Sequence, residues 1–441
     1  EHIANAIDAI QARAALPAIT GNLDISGGNI IPGPARNFID VAELSLFEKI
    51  SPEQRAKQLG RDRFKLIGFP GWEIIQSYTE KMWGVKCSQP RNDASAHLPT
   101  ILRAMLTGKP YPVRACYTVA SNPMVTQPNT KLVYKALKSL DLYVVADYFI
   151  TPSAAIADYV LPVASWLERP FIYSLGDGFD NCIRAGEQAL PQSIEGEYDH
   201  KTDFEIFREI SIRLGLGEYW PWKTVEETYD YRLSPRGLTL KQFMEQGGYD
   251  FPVTEGKKHE KMGGFATATG KVELWSTVLE KLGYDPLPQY YEAAESPVST
   301  PELAKEYPFI LNTGGRFTPM FHSEHFQIST ARKKHPNPLV QINPKTAKEL
   351  GIDDGDWVWI ETKRGRVRMK CKYYEGTDPR VIHAEHGWWL PELPGEEPWL
   401  HGVWESNINV CTDDNPDVCG KKHGGWPLKS GMCKVYKAKS Y

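Results

Sequence analysis

Four histidines near the carboxyl terminus are the first candidates for a chemical site, because histidine can bind a metal ion. His383, His386, His401 and His423 fall within 41 residues, and Glu385 lies among them. Imidazoles and carboxylates bind zinc, but the HExxH kind of catalytic site places its two histidines on one face of a helix. The segment VIHAEH instead has the pattern of a strand that runs into a loop. The sequence therefore favours core or solvated histidines over a metal site, and it predicts no metal ligand in this chain.

The cysteines are a second candidate set, because thiolates bind zinc and iron–sulfur clusters. They form no CxxC pair, which is the spacing that makes such a site specific. A metal held by Cys411, Cys419 and Cys433 stays open as the less favoured alternative. We predict free, buried or structural thiols for most of the set, because unpaired cysteine is often a small core residue. The seven are Cys87, Cys116, Cys182, Cys371, Cys411, Cys419 and Cys433.

Glycine-rich segments are a third candidate, since glycine lets a backbone approach a phosphate closely. GFATATGKVEL resembles a phosphate-binding loop, but Gly264 and Gly270 enclose five residues where that loop needs four. Val272 also replaces the Ser or Thr that binds magnesium. Neither a GxGxxG between a strand and a helix nor a GxSxG elbow occurs, so NAD binding and serine hydrolysis lack support.

Beyond residue 101 the sequence has the pattern of a strand, a turn, a helix and a second strand. Such a unit would position a ligand. PVRACYTVA and LYVVADYF predict parallel strands, and TKLVYKALKSL predicts the helix that connects them. ILRAMLTGK predicts a preceding helix, and YVLPVA predicts a further strand after a short helix. Ligands of such open, doubly wound sheets bind outside the carboxyl ends of the strands. Ser121–Pro123 and Asp147–Thr151 follow two of those ends.

The sequence pattern changes to short strands near residues 299–308, where STPELAKEYP predicts a domain boundary. Five short strands are predicted beyond it, PFILNTG, LVQINP, WVWIET, RVRMKCKYY and RVIHAEH, which is typical of a small β-barrel. Before it, residues 203–216 predict a helix that stops near Gly215, and residues 217–300 predict long ordered loops. The last 22 residues hold six lysines and no acid. Such a tail is typical of a solvated face, yet it also suits a phosphate-bearing partner.

Length, composition and charge narrow the class of protein. The 441 residues exceed one ordinary core and predict two or three domains, and 41% hydrophobic with 24% charged residues is the balance of a globular protein. The net charge of −4 disfavours a nucleic-acid partner. No membrane span is predicted, because no apolar run approaches about 18 residues. The chain opens at Glu1 with an amphipathic helix and no signal-peptide pattern, so we expect the natural amino terminus to lie upstream.

Segments in a fixed order along nearly the whole chain resemble the molybdopterin-dinucleotide oxidoreductase superfamily, named for dimethyl-sulfoxide reductase. They are LPAITGNLDISGGN, ASNP, VVADYFITPSAAIADYVLPVASWLERP, FATATGKVELWS, ILNTGGRFTPMFHS, INPKTAKELGIDDGDWVWIETKRG and WESNINV. The resemblance implies an α/β portion with an open, mostly parallel sheet over residues 1–300. It implies a six-stranded double-psi β-barrel that binds molybdopterin dinucleotide over residues 301–441.

The resemblance also implies cofactor-binding residues, because the two dinucleotides of a bis-(molybdopterin guanine dinucleotide) cofactor need many donors in fixed positions. One dinucleotide would contact Ser121, Asn122, Pro123, Asp147 and Thr151. The other would contact Thr313, Gly314, Gly315, Arg316, His322, Ser323, Trp388, Asn407 and Lys434. Purely structural roles remain the alternative: a turn at Ser121–Pro123, a helix cap at Asp147 and a surface side chain at His322.

The implied function is electron or oxygen-atom transfer by a molybdenum or tungsten oxidoreductase from an anaerobic bacterium. In this family the metal ligand and the cysteines of a 4Fe-4S cluster precede the matching region. No catalytic residue is therefore assigned here, and an amino-terminal region or separate chain is expected as a partner. A small-molecule substrate and an electron-transfer subunit are the other expected partners. The sequence leaves the metal, the substrate, the oligomeric state and the choice between cytoplasm and periplasm open.

Two other functions stay open. GKPYPVRACYTVASN, ADYVLPVASWLERP, ATATGKVELWSTVLEKLGYDPLP and PELAKEYPFIL resemble the acetylene hydratases within the superfamily. That resemblance implies a non-redox, tungsten-dependent hydratase. The segment after His386 departs from the hydratase pattern, which leaves the reaction undecided. The second alternative is a non-catalytic subunit that only binds the cofactor.

Overall fold

The computed structural model describes residues 3–29, 37–86, 94–174, 182–191, 200–250, 258–261, 263–316 and 319–439. Its α-helices are α1 (Ala6–Ile19), α2 (Val41–Leu44), α3 (Pro52–Ala56), α4 (Phe69–Trp83), α5 (Leu98–Thr107), α6 (Pro123–Thr126), α7 (Thr130–Lys138), α8 (Asp203–Arg213), α9 (Val225–Leu233), α10 (Leu240–Glu245), α11 (Lys258–Lys261), α12 (Thr277–Lys281), α13 (Pro301–Glu306), α14 (Ser329–Lys334), α15 (Pro344–Glu349) and α16 (Val403–Ser406). Its strands are β1 (Ala115–Val119), β2 (Leu142–Asp147), β3 (Tyr159–Pro162), β4 (Phe171–Ser174), β5 (Cys182–Gly186), β6 (Tyr249–Asp250), β7 (Phe309–Gly315), β8 (Leu339–Ile342), β9 (Trp357–Thr362), β10 (Gly365–Tyr373), β11 (Val381–Glu385) and β12 (Gly431–Lys437).

The chain divides into two compact units. The first unit is composed of Glu1–Ile7, His97–Leu161 and Tyr290–Tyr441. The second unit is composed of Asp8–Ala96 and Pro162–Gln289. The division of the sequence at residue 300 concerns the regions that resemble the family, and it stays a prediction.

The first unit contains the predicted βαβ arrangement. Strands β1 and β2 pair in parallel from Ala115–Leu142 to Val119–Ala146, and β3 follows β2 in the sheet order. Helix α7 connects β1 to β2 and buries Val133, Ala136 and Leu137 on one face. Parallel neighbours require such a crossover, because a tight hairpin can join only antiparallel strands. The predicted α/β fold with a parallel sheet is confirmed.

A closed six-stranded β-barrel completes the first unit. Its strands follow the order β10, β8, β11, β7, β12 and β9 around the barrel. Five of them are the five strands predicted from the sequence, so the predicted barrel is confirmed. The sixth, β12, lies in the lysine-rich tail, where a solvated face was the favoured reading. That reading was wrong for β12 because Cys433 and Val435 point into the barrel core while Lys434 lies between them on the opposite face.

The second unit contains an antiparallel sheet of three strands, β4, β5 and β6, and several helices. Helix α8 confirms the helix predicted for residues 203–216, and a capping box of Thr202 and Glu205 begins it. The prediction of long loops over residues 217–300 was wrong where α9, α10, α11 and α12 form. Thr224 and Thr239 cap the first turns of α9 and α10, and the two helices bury Leu233 and Phe243.

None of the helices in the described ranges is long and apolar enough to span a bilayer.

Candidate functional site

A pair of glycines at the end of β7 forms a narrow cradle at one end of the barrel. A β-carbon at Gly314 would lie 2.9 Å from Cε of Lys429, and one at Gly315 would lie 2.9 Å from the backbone oxygen of Ala384. Real β-carbons do not approach backbone atoms that closely, so a side chain is excluded at Gly315, where β7 packs against the β11 backbone. At Gly314 the neighbour is instead the end of the flexible Lys429 side chain.

Hydrogen bonds made by Asn312 and Thr313 hold β7, the strand that ends in this cradle. Thr313 is buried, and its hydroxyl donates a hydrogen bond to the backbone oxygen of Leu428 (2.7 Å). Asn312 accepts a hydrogen bond from the backbone N–H of Gly314 through Oδ1 (3.1 Å). Arg316 follows the cradle with an exposed side chain. The predicted residues from Thr313 to Arg316 thus form one continuous loop whose guanidinium remains accessible.

Two hydrogen-bonded histidines line the same loop. His386 contacts the backbone oxygen of Gly315 through Nδ1 (2.9 Å), and its Nε2 lies 2.9 Å from Nδ1 of His322. A carbonyl oxygen only accepts, so Nδ1 of a neutral His386 carries the proton and its Nε2 accepts from His322. The neutral His322 ring then has a bare Nε2. Burial, followed by the charge of Arg316, lowers the pKa of His322 and favours this neutral form.

Backbone geometry fastens the loop around His322 to the segment after β11. His322 adopts φ of 53°, and Gly387 adopts φ of 78°. A β-carbon at Gly387 would lie 2.5 Å from the backbone oxygen of His322, so only glycine fits. The backbone oxygen of Ser323 accepts a hydrogen bond from Nε1 of Trp389 (3.0 Å). The predicted residues His322 and Ser323 are therefore held next to the glycine cradle.

A buried carboxylate lies behind this loop. Glu385 is 2% exposed and accepts hydrogen bonds from Nε2 of His335 (2.9 Å), the backbone N–H of Leu339 (2.6 Å) and Nε1 of Trp388 (2.8 Å). Burial raises the pKa of Glu385, and these partners oppose that shift. Trp388, which the resemblance implied as a cofactor contact, is 1% exposed. In this structure its indole N–H is used to hold the carboxylate.

A second set of predicted residues lies at the carboxyl end of β1. Ser121 is exposed, whereas Asn122 is 4% exposed. Asn122 accepts hydrogen bonds through Oδ1 from the backbone N–H (3.3 Å) and hydroxyl (2.6 Å) of Ser153. Its Nδ2 is buried without a partner among the described residues. Pro123 begins α6, as expected of proline in a first helical turn. The turn leaves one buried donor unused.

Asp147 and Thr151 lie at the carboxyl end of β2. Oδ1 of Asp147 accepts hydrogen bonds from the backbone N–H groups of Tyr148 (2.7 Å) and Phe149 (3.4 Å). Burial raises the pKa of Asp147, and the charge of Glu324 raises it further. Thr151 is buried, and its hydroxyl accepts a hydrogen bond from the following turn (3.3 Å). Glu324 follows Ser323 in the chain, so the charge that acts on Asp147 comes from next to the loop that carries His322 and Ser323.

Asn407 is also engaged inside the protein. It is fully buried, and its Nδ2 donates to the backbone oxygen of Met124 (2.9 Å) and the hydroxyl of Thr130 (3.1 Å). Its Oδ1 accepts from the backbone N–H of Asn409 (3.2 Å). These bonds tie the segment after α16 to α6 and α7. The amide has the contacts of a structural residue.

Lys434 is held by carboxylates on the outer surface of β12. Its Nζ lies 3.0 Å from Glu361 and 3.5 Å from Glu306, and it lies 5.0 Å from the ring centre of Tyr307. The Glu361 carboxylate, its hydrogen-bond partner, raises the pKa of Lys434. The structure thus gathers Thr313–Arg316, His322 and Ser323 in one place, whereas it gives Trp388, Asn407 and Lys434 other partners.

Two residues at the loop were missed from the sequence. Lys429 lies against Gly314, and His386 orients His322. The histidine cluster drew attention to His386, but its pairing with His322 spans 64 positions and leaves no local signal. Lys429 was noticed only as one of six lysines in the tail. Phe317 and Thr318, inside the segment that resembles the family, lie outside the described residues.

The cysteines behave as buried thiols where the structure describes them. Five form no disulfide, four of these are buried, and burial raises the pKa of both Cys371 and Cys411 to about 12. The prediction of buried or structural thiols is confirmed for the four, which are Cys371, Cys411, Cys419 and Cys433. Cys87 and the side chain of Cys182 lie outside the described part of the chain. Within that part, no group of three or more His, Cys, Asp and Glu residues is arranged to hold a metal ion.

Two family models match this chain. The model described as molybdopterin oxidoreductase matches residues 56–213. The model described as the molybdopterin dinucleotide binding domain matches residues 309–423. The second range contains the glycine cradle, both histidines of the loop and most of the barrel.

Individual proteins are similar over nearly the whole chain. Acetylene hydratase from Syntrophotalea acetylenica is 35% identical over 440 residues, which cover 98% of this chain and 59% of that protein. Dopamine dehydroxylase from Eggerthella lenta is 31% identical and is covered to 47%, with 99% of this chain aligned. The solved structure of acetylene hydratase from Pelobacter acetylenicus superposes with a TM-score of 0.89 at 34% identity, covering 99% of this chain and 59% of that one. The chain therefore spans about half to three fifths of these relatives.

Proposed function

The chain belongs to the molybdopterin oxidoreductase family, and on that premise we propose that it binds both dinucleotides of a bis-(molybdopterin guanine dinucleotide) cofactor. The observation that carries the proposal is the glycine cradle at Gly314 and Gly315, where an added side chain would meet the Ala384 backbone at Gly315 and the Lys429 side chain at Gly314. It lies inside the molybdopterin dinucleotide binding domain. The residues present fit such a group, because an accessible guanidinium and a bare imidazole nitrogen meet at this cradle.

The barrel loop would hold one dinucleotide. The backbone of Thr313–Arg316 can approach a phosphate closely, and the Arg316 guanidinium offers paired donors in a planar fork. Nε2 of His322 can accept a hydrogen bond from a pterin or guanine N–H group. Ser323 would add a hydroxyl from the same loop.

The ends of β1 and β2 would hold the other dinucleotide. Asn122 supplies the buried Nδ2 that lacks a partner among the described residues, beside the exposed Ser121 and the helix start at Pro123. The Asp147 carboxylate can accept N–H groups of a guanine or pterin, and Thr151 supports the turn beside it. Open sheets bind ligands at this edge.

The activity proposed for the whole enzyme is electron or oxygen-atom transfer to a small molecule. The bound cofactor, with molybdenum or tungsten, would supply that chemistry. This chain's own residues bind and orient the cofactor. His322 can take a proton at Nε2, because its Nδ1–H remains hydrogen-bonded to Nε2 of His386. We further propose a 4Fe-4S cluster, an electron-transfer subunit and the metal ligand as contributions from outside residues 1–441.

A non-redox hydratase is the second candidate function. It is favoured by the 35% identity to acetylene hydratase and by the TM-score of 0.89 to the solved structure of an acetylene hydratase. The two candidates share the cofactor site and differ in whether electrons enter the reaction.

Analysis of the purified holoenzyme tests cofactor binding. The protein is denatured, its pterin is oxidised to a fluorescent derivative, guanine nucleotide is released by hydrolysis, and metals are measured by mass spectrometry. We expect two pterins and two guanine nucleotides for each molybdenum or tungsten atom. Pterin without guanine nucleotide, or neither, would refute the proposal.

A pair of assays on the same preparation separates the two functions. The oxidoreductase predicts oxidation of a reduced viologen dye by an added acceptor and no product from acetylene. The hydratase predicts acetaldehyde from acetylene and water with no net consumption of reductant.

A further inference from the structure

Lys429 is a basic residue that lies at the glycine cradle. Its Cε would lie 2.9 Å, and its Nζ 3.3 Å, from a β-carbon at Gly314, so the ammonium lies beside the cradle. Among the described residues it makes no ion pair, although Lys434 and Lys437 on the adjoining strand each pair with carboxylates. Its side chain is exposed. A compact positive charge without an acidic partner in the described part of the chain thus lies next to Gly314.

His383 adds an unused nitrogen at the same end of the barrel. It lies on β11 opposite Asn312 of β7. Its Nε2 is buried without a hydrogen-bond partner in the described part of the chain. Burial, and then the charge of Lys429, lowers the pKa of His383, while a hydrogen bond to the backbone of Gly314 opposes that shift. An anion placed here would pair with the ammonium and would favour the protonated form of His383, whose Nε2–H could then donate to that anion.

We infer that Lys429 and His383, which lie beside Gly314, bind a phosphate group of the dinucleotide in the barrel loop. This inference rests on the proposed function. It also makes Lys429, and not Lys434, the lysine of this site. A lysine ammonium is a point charge suited to phosphate, whereas the charge of Lys434 is already shared by Glu361 and Glu306.

The test is the rate at which the dinucleotide cofactor, measured through its guanine nucleotide after hydrolysis, leaves the purified holoenzyme during incubation below its unfolding temperature. Lys429→Gln should release it about tenfold faster or more, because a charge-assisted hydrogen bond is lost. Lys429→Arg keeps the charge and should stay within about threefold of wild type. Lys434→Gln is the matched variant, with the same chemical change on the next strand, and should release the nucleotide at the wild-type rate.

Two further measurements keep the test decisive. His383→Gln should speed release independently of Lys429, so the inference survives a Lys429 variant that fails to fold. Added salt should accelerate release from wild type and have less effect on Lys429→Gln, because one screened charge is gone. Wild-type release from Lys429→Gln, or equal acceleration in Lys429→Gln and Lys434→Gln, would overturn the assignment. Wild-type enzyme that holds pterin but no guanine nucleotide would instead refute dinucleotide binding itself.

Discussion

The barrel loop (Thr313–Arg316 with His322 and Ser323) and the late segment (residues 388–411) were both expected to touch the cofactor, and they are built in opposite ways. In the barrel loop, the Arg316 side chain and Nε2 of His322 remain available to a ligand. In the late segment, the polar groups of Trp388 and Asn407 are already bonded inside the protein. The residue type and its position in a family pattern do not reveal whether its hydrogen bonds are already used.

Substitutions in the two regions should therefore have different consequences. A change in the barrel loop should weaken cofactor retention and leave the fold intact. A change in the late segment should lower the stability of the first unit, because buried polar groups lose their partners. Each of the following experiments can break or sharpen that contrast.

The reactivity of Cys411 is expected to show the largest effect. Burial raises the pKa of this thiol to about 12, so at pH 8 its thiolate fraction should be about a thousandfold below that of an ordinary cysteine. Alkylation with iodoacetamide, followed by mass spectrometry of the native and denatured protein, measures this. Cys411 should be labelled only after unfolding. Labelling of native protein at the rate of a small thiol would show that the late segment is open.

Asn407→Leu should give the next largest effect. The leucine leaves the Thr130 hydroxyl and the Met124 carbonyl without their partner, so we expect a loss of about 2–4 kcal/mol in the free energy of unfolding. Thermal and denaturant unfolding measure it. Asn22→Leu is the control, because Asn22 is exposed, and it should stay within about 0.5 kcal/mol of wild type. A stable Asn407→Leu protein that loses cofactor would reverse the contrast between the two regions.

Gly387→Ala tests how the barrel loop is shaped. The new β-carbon would meet the backbone oxygen of His322 at 2.5 Å in a residue with φ of 78°, and we expect a cost of about 1–3 kcal/mol with faster cofactor loss. Gly351→Ala is the matched control, since its φ is 67° and nothing lies within 4 Å of the added carbon. It carries the backbone cost without the collision. Equal effects of the two variants on cofactor retention would remove the steric argument.

The pH dependence of stability should show the smallest effect. The pKa of His322 is lowered in the folded protein from its usual value of 6.5. The unfolded state therefore binds the proton more readily, and stability present above pH 6.5 is lost as pH falls towards the lowered value. His322→Gln should make the decline of the unfolding temperature between pH 7.5 and 5.5 shallower. An unchanged slope would mean that His322 is not held neutral by the loop.

The sequence foretold most of the first unit and less of the second. Alternating apolar residues identified five barrel strands, but Lys434 and Lys437 within β12, in a tail rich in lysine, concealed the sixth. In the second unit, Thr224 and Thr239 cap short helices. Dense proline, tyrosine and tryptophan around them favoured loops instead.

The residues of the candidate site likewise divide into those that the sequence indicated and those that it did not. The glycines, Arg316 and His322 were found because they lie in one segment, ILNTGGRFTPMFHS, that resembles the family. Lys429 reaches Gly314 only because the barrel closes across 115 positions, which no local pattern records. Burial is likewise invisible to residue type, so Asn407 and Trp388 could not be distinguished from open ligand-binding side chains.

Hydrogen–deuterium exchange, compared between the holoenzyme and the same protein made without cofactor, tests the central claim most directly. The account predicts strong protection by the cofactor in peptides that cover residues 313–323 and 120–126. It predicts little change in peptides over 400–411, where the amides are already bonded inside the protein. Protection confined to 400–411, with none at 313–323, would contradict the assignment of the cofactor to the glycine cradle.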